Sequence, residues 1–178
     1  ENIMTLIQAG ADVNARGETA KTEDGTTPLH WAAALGTPEN ILTLIQAGAD
    51  VNATDVGGQT PLHFSASYGT PKNVMALIQA GADVNARSEH GATPLCLVAA
   101  SGTPESILAL IKEGADVNAR TEDGTTPLFW AAAGGTPENI LALIKERADV
   151  NAKAIDGSTP LFWAAKKTPE NILALIKA

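Results

Sequence analysis

Three side chains with the chemistry of metal ligands or nucleophiles, His30, His63 and Cys96, stand on a 33-residue beat. Two imidazoles and a thiolate are zinc-ligand types, and a cysteine beside a histidine is a nucleophile–base pair. The spacing argues against both chemistries. Residues that recur at such a period sit on successive stacked units. Packed helices lie ~8–10 Å apart, whereas zinc bonds are ~2.0–2.3 Å long, so ligands placed this way do not converge. Cys96 is the sole cysteine. It allows no internal disulfide and belongs to no zinc-type spacing. With no orienting base at a workable spacing, it reads as a small core hydrophobe. No catalytic, cofactor-binding or metal site is expected, and the chain is expected not to be an enzyme.

The elements that position these residues repeat on the same beat. Thr-Pro-Leu begins at Thr27, Thr60, Thr93, Thr126 and Thr159, 33 residues apart each time. Residues 22–54 and 121–153 are identical at 26 of 33 positions, so one local solution is being reused. In the first full unit Thr27 is a helix N-cap and Pro28 suits the first helical position, where its missing N–H costs nothing. Leu29, Ala32 and Ala33 recur at helical spacing, and Gly36 ends that helix. Thr37-Pro38-Glu39 repeats the start signal. Ile41, Leu44 and Ile45 form the apolar stripe of a second helix, and Gly48 supplies its left-handed cap. Residues 50–58 read as an extended, turn-rich finger. No unit of this kind buries its apolar faces alone, so stability is a sum over neighbouring pairs.

DGTTPLHWAA, ENILTLIQAGADVNA and the 33-residue period together resemble the ankyrin repeat, over essentially the whole chain. The resemblance implies an all-α repeat solenoid: a right-handed stack of helix–turn–helix units with β-hairpin-like loops along one side. It implies one ankyrin repeat domain over 1–178, made of an N-terminal half repeat with a loop insert (1–21), full repeats at 22–54, 55–87, 88–120 and 121–153, and a truncated last repeat (154–178). It further implies a non-catalytic module that binds another protein through the concave inner-helix face and the hairpin tips. Similar TPE- and GADVNA-rich units occur in bacterial members of the family. In the family the histidine of the TPLH box bonds the capping threonine and the neighbouring loop, a role carried over to His30 and His63 only. Phe129 and Phe162 cannot perform it, so the C-terminal half is expected to hold its loops by apolar packing.

The candidate contact surface follows from the same register. Trp31, Phe64, Leu97, Trp130 and Trp163 follow the TPL-[HCF] box, and Leu35 and Tyr68 lie four residues after the first two, on the same helix face. These aromatics are equally readable as partner contacts or as partial core, since Trp is commonly both. The hairpin tips offer Glu23, Asp24, Val56, Gln59, Glu89, His90, Glu122, Asp123, Ile155 and Asp156. Their acidity, and a formal net charge of −8, favour a partner with Lys or Arg on its surface. A nucleic-acid partner needs a basic face, which is lacking. No apolar run approaches the ~20 residues of a membrane span. The rival reading is a structural spacer, or a rod with weak end-to-end self-association, and light scattering separates the two. The opening half unit makes the chain look like a piece of a longer array. The compartment is not legible.

Departures from the beat carry their own expectations. Five extra residues (Gly17–Lys21) lengthen the first hairpin, either as a finger that touches a partner or, the favoured reading, as a tolerated loop-tip insertion. Leu42, Met75, Leu108, Leu141 and Leu173 fall where the family favours a polar residue. A slight rotation of the second helix with partial burial is favoured over an exposed apolar ladder. Arg147 replaces the cap glycine found at Gly10, Gly48, Gly81 and Gly114, and a left-handed arginine is expected to cost ~1 kcal/mol. The turn after Ala165 is one residue short and lacks its glycine.

Overall fold

Threonine followed by proline starts ten of the eleven helices in the computed structural model, which describes residues 2–19 and 22–177. The chain opens with α1 (Asn2–Gln8) and a two-strand hairpin, β1 (Glu18–Thr19) and β2 (Thr22–Glu23), antiparallel with Glu18 opposite Glu23. Helix pairs follow: α2 (Pro28–Leu35) and α3 (Pro38–Gln46), α4 (Pro61–Tyr68) and α5 (Pro71–Gln79), α6 (Pro94–Ser101) and α7 (Pro104–Lys112), α8 (Pro127–Gly134) and α9 (Pro137–Lys145), α10 (Pro160–Ala164) and α11 (Pro169–Ile176). The first helix of each pair packs on the first helix of the next, and the second on the second. This is the expected repeat solenoid of inner and outer helix rows. The insert pairs through Glu18 and Thr19, while Ala20, Lys21 and the side chain of Glu23 lie outside the described residues.

The core is a column rather than a centre. Leu29, Leu62, Leu95 and Leu128 of the inner row are fully buried, as are Ile41, Leu77, Ile107, Leu110, Ile140 and Leu143 of the outer row. Each such burial stabilises by roughly 1.5–3 kcal/mol, and each depends on the adjacent unit. Alanines at 32, 33, 99, 131 and 132 let the inner helices approach closely. The approach is tight enough that a Cβ at Gly135 would stand 2.4 Å from the Ala99 carbonyl oxygen, and one at Gly69 2.5 Å from that of Ala33. The last unit lacks that glycine, and its inner helix is correspondingly cut to five residues.

Three sets of polar contacts fix the register between units. In the first, Asn14, Asn52, Asn85 and Asn118 each bridge to the following unit. Asn85 Oδ1 accepts from the Asp116 N–H at 2.9 Å and its Nδ2 donates to the Gly114 carbonyl at 2.9 Å, and the other three repeat the pattern. In the second, the asparagine at the third position of the outer helix reaches back. Asn73 Nδ2 donates to the carbonyls of Ala33 and Gly36 at 3.1 and 3.0 Å. Asn139 does the same to Ala99 and Gly102, and Asn171 to Ala132 and Gly135. Third, Arg16, Arg87 and Arg120 donate to the carbonyls of Thr54, Arg120 and Lys153.

The second set explains the displaced residue of the outer helix. Asparagine occupies the inward third position because it is a buried donor to the preceding unit, and Leu42, Met75, Leu108, Leu141 and Leu173 consequently lie on the outer side. They are 40–50% exposed, half-buried as a ladder. Arg147 adopts φ 68°, the sole positive φ of a non-glycine among the described residues. Its N–H bonds the Ile144 carbonyl and the Ala148 N–H bonds the Leu143 carbonyl, as Gly48 and Ala49 do with Ile45 and Leu44. The helix ending is therefore the same paired-bond stop with a different residue in it.

Candidate protein-binding surface

His30 and His63 are wholly buried and their ring nitrogens are engaged. Nδ1 of His30 accepts from the Thr27 N–H at 3.0 Å, which leaves Nε2 as the protonated nitrogen, donating to the Gln59 carbonyl at 3.0 Å. His63 links Thr60 to Ala92 in the same way, at 3.1 Å on each side. Burial holds both imidazoles below their ordinary pKa, against the raising influence of the bonds to Gln59 and Ala92. These are structural relays for neutral rings. Cys96 is buried, takes a 3.5 Å contact from the Thr93 hydroxyl, and has its thiol pushed up by burial. The thiolate a nucleophile needs is disfavoured.

Where phenylalanine replaces histidine, packing takes over as expected at Phe129, which clusters with Ala152, Ala154, Trp130 and Trp163. The Thr126 hydroxyl is left buried without a partner. Phe162 differs. It is 53% exposed.

The inner-helix face carries the predicted strip. Leu35 and Tyr68 are the most exposed of its members, Trp31 is half exposed, and Phe64, Leu97, Trp130 and Trp163 are half-buried against the core. Trp is thus both core and surface. The edge of Phe64 meets His30 at 5.0 Å and Trp31 at 6.2 Å between ring centroids. Each indole is anchored to its own hairpin, a link the pattern of residues alone did not reveal. Nε1 of Trp31, Trp130 and Trp163 donates to Thr26 Oγ1, Thr125 Oγ1 and Ser158 Oγ at 3.1, 3.2 and 3.1 Å. A hydroxyl five residues before the Trp is the sequence signal.

Successive hairpins join edge to edge. Val56 N–H bonds the Asp24 carbonyl, Glu89 that of Gly57, Glu122 that of His90, and Ile155 that of Asp123. The tips are therefore a continuous strip rather than separate fingers. Val56, Glu89, His90, Glu122, Ile155 and Asp156 are exposed on it, with Asp24 and Gln59 half-buried, and His90 Nδ1 lies 3.8 Å from Glu122 Oε2. Asp24 and Asp123 each give one carboxylate oxygen to the N–H and hydroxyl of the threonine two residues on. Asp156 accepts from the Ser158 N–H at 2.8 Å. Their pKa values lie below the ordinary carboxylate range, led by the Thr26 N–H for Asp24, the Thr121 hydroxyl for Asp123 and the Ser158 hydroxyl for Asp156, and the tips are anionic at neutral pH.

Family models described as ankyrin repeats match this chain over residues 54–121 and 95–178 (three copies) and 29–74 (many copies). The chain belongs to the ankyrin repeat family. No curated protein matches it. Ankyrin repeats are in general protein–protein interaction modules without catalytic activity of their own, and no helix among the described residues of this ankyrin protein is long and apolar enough to cross a membrane.

Proposed function

We propose that this ankyrin stack binds a partner protein through its inner-helix face and the adjoining hairpin strip. The observation that carries the reading is the aromatic row itself. Tyr68 is 72% exposed and Trp31 52%, on helices whose opposite sides fill the column. Large aromatics left at the surface beside small residues and an acidic rim suit capture of a polypeptide with basic side chains. Pull-down from the source cell with the intact chain tests this, with cross-linking to map the partner. Alanine at both Phe64 and Tyr68 should weaken capture more than alanine at Leu108 and Leu141 on the outer row, with melting checked for each. Equal loss from the outer pair would overturn the assignment.

A further inference from the structure

Over the fourth inner helix, from the third to the fifth, the face deepens into a cleft of about 350 Å³. Trp130 and Trp163 line it, with Ala100, Ala133 and Gly134 among the lining residues and Asp123 alongside. Asp156 lines an adjoining hollow that shares Asp123, Thr125 and Trp163 with the cleft. The indoles are held in orientation before any ligand arrives, because each donates to a hairpin hydroxyl. At the neighbouring unit Asp123 in turn fixes the Thr125 hydroxyl that receives Trp130. Two oriented π faces with anions beside them match a flat cation, and preorganisation spares the ordering cost of closing on it.

We propose that this cleft receives an arginine side chain of the protein partner, its guanidinium lying against the Trp130 and Trp163 indoles and paired with the Asp123 and Asp156 carboxylates. The inference rests on the interaction reading above and names the chemistry of the partner. Arginine fits better than lysine because its planar head stacks on aromatic rings and offers several donors to two carboxylates at once. The Ser158 hydroxyl and N–H hold the Asp156 carboxyl below its usual range despite the neighbouring Asp123 charge, so both carboxylates are anions at neutral pH and a guanidinium would offset their mutual repulsion. The chain already shows the affinity of this aromatic surface for positive charge: Lys166 Nζ lies 4.5 Å from the Phe162 ring centroid and 5.1 Å from that of Trp163. Lys166 already lies over the Trp163 ring that the incoming cation would use, so Lys166→Ala should leave binding unchanged or tighten it.

The test uses the full chain with ¹⁵N-labelled indoles. N-acetylarginine methylamide is titrated in, with the neutral isostere N-acetylcitrulline methylamide as control. The Trp130 and Trp163 Nε1–H signals should move saturably with the arginine probe, and the Trp31 signal should stay still. The citrulline probe should bind more weakly by about tenfold, the combined loss of a cation–π and a charge contact. Asp156→Asn, which keeps the bond to Ser158, should weaken the arginine probe by about 2–5-fold without altering melting. Equal response to both probes, equal movement of Trp31, or no saturable shift overturns the proposal. If the arginine probe fails while a captured partner still cross-links to the inner face, the arginine site alone is wrong. If that partner cross-links only to the outer helices, the interaction reading falls and the proposal with it.

Discussion

His30 donates to the main-chain carbonyl of Gln59, 29 residues further on, at 3.0 Å. The same ring accepts from the N-cap of its own helix, so one neutral imidazole ties a helix start to the hairpin of the next unit. His63 repeats the device, and Cys96, Phe129 and Phe162 abandon it. At this one position the link between units is therefore polar and titratable at one end of the stack and apolar at the other, and the two ends should respond differently to pH.

Both imidazoles have folded-state pKa values lowered chiefly by burial, against about 6.5 when unfolded. The unfolded chain then binds more protons below that value, and stability rises with pH there. The histidine contribution is complete above pH about 6.5–7 and is lost as pH falls towards the lowered folded values. Asp24, Asp123, Asp156, Glu39 and Glu105 have lowered pKa values too. Their contribution is present above ordinary carboxylate pKa values, near 4, and is lost only below them. Melting followed between pH 7.5 and 5 should therefore decline in the wild type and be nearly flat in His30→Phe/His63→Phe. An equal decline in both would show that other groups carry it.

Thr60 and Thr126 occupy the same position one His apart. The Thr60 hydroxyl lies 3.0 Å from His63 Nδ1, whereas the Thr126 hydroxyl is buried without a partner beside Phe129. Thr60→Val should destabilise by about 1–2 kcal/mol. Thr126→Val should be neutral or stabilise by up to about 1 kcal/mol, since it removes an orphaned hydroxyl. Denaturant midpoints on the matched pair decide it, and equal losses would mean that the hydroxyl is solvated.

The helices, their starts and stops and the beat were legible because each depends on residues close in sequence: Thr-Pro at N-termini, glycine at C-termini, apolar residues at helical spacing. The contacts between units were not. Asn52 reads as a turn residue until the next unit's Asp83 N–H is seen to bond it, and Asn73 reads as a misplaced polar residue until Ala33 and Gly36 appear behind it. The aromatic row was legible as a face, but its division into exposed and half-buried members was not, because that depends on how the neighbouring units pack on each ring. Trp31 is half exposed, whereas Trp130 and Trp163 at the same register position are half-buried. Asp-x-Thr and Asp-x-Ser at the tips were visible as pairs, yet their reading as partner contacts overlooked the oxygen each aspartate spends on its own turn.

The inward asparagine is missing once. Ser106 stands where Asn73, Asn139 and Asn171 stand, is buried, and contacts the Thr103 hydroxyl at 3.5 Å. By register the carbonyls it fails to reach are those of Ala66 and Gly69. Ser106→Asn should add two bonds across that seam and stabilise by about 1 kcal/mol. Asn139→Ala should cost about 2–3 kcal/mol, because it strands the carbonyls of Ala99 and Gly102 in the interior. Hydrogen exchange in α5 and α7 provides a local readout. A destabilised Ser106→Asn variant would mean that the seam is too narrow for the amide.

Arg147 isolates the backbone term of a helix stop. A Cβ added at the equivalent Gly48, Gly81 or Gly114 meets nothing within 4 Å, so a side chain there is penalised by conformation and not by crowding. The pairing of Arg147 and Ala148 N–H with Ile144 and Leu143 is intact, and the Arg147 carbonyl still accepts from Asn118 Nδ2 at 3.2 Å. The left-handed φ is common to Gly10, Gly48, Gly81 and Gly114, so what distinguishes this unit is a residue with a Cβ in that region. Arg147→Gly should stabilise by about 1 kcal/mol, a rise of about 2–4 °C in melting temperature for a chain of this size. Gly114→Arg should lower it by a similar amount. The two changes sit in adjacent units and test one quantity from both directions: a rise from the first without a fall from the second would assign the effect to the arginine side chain rather than to the backbone.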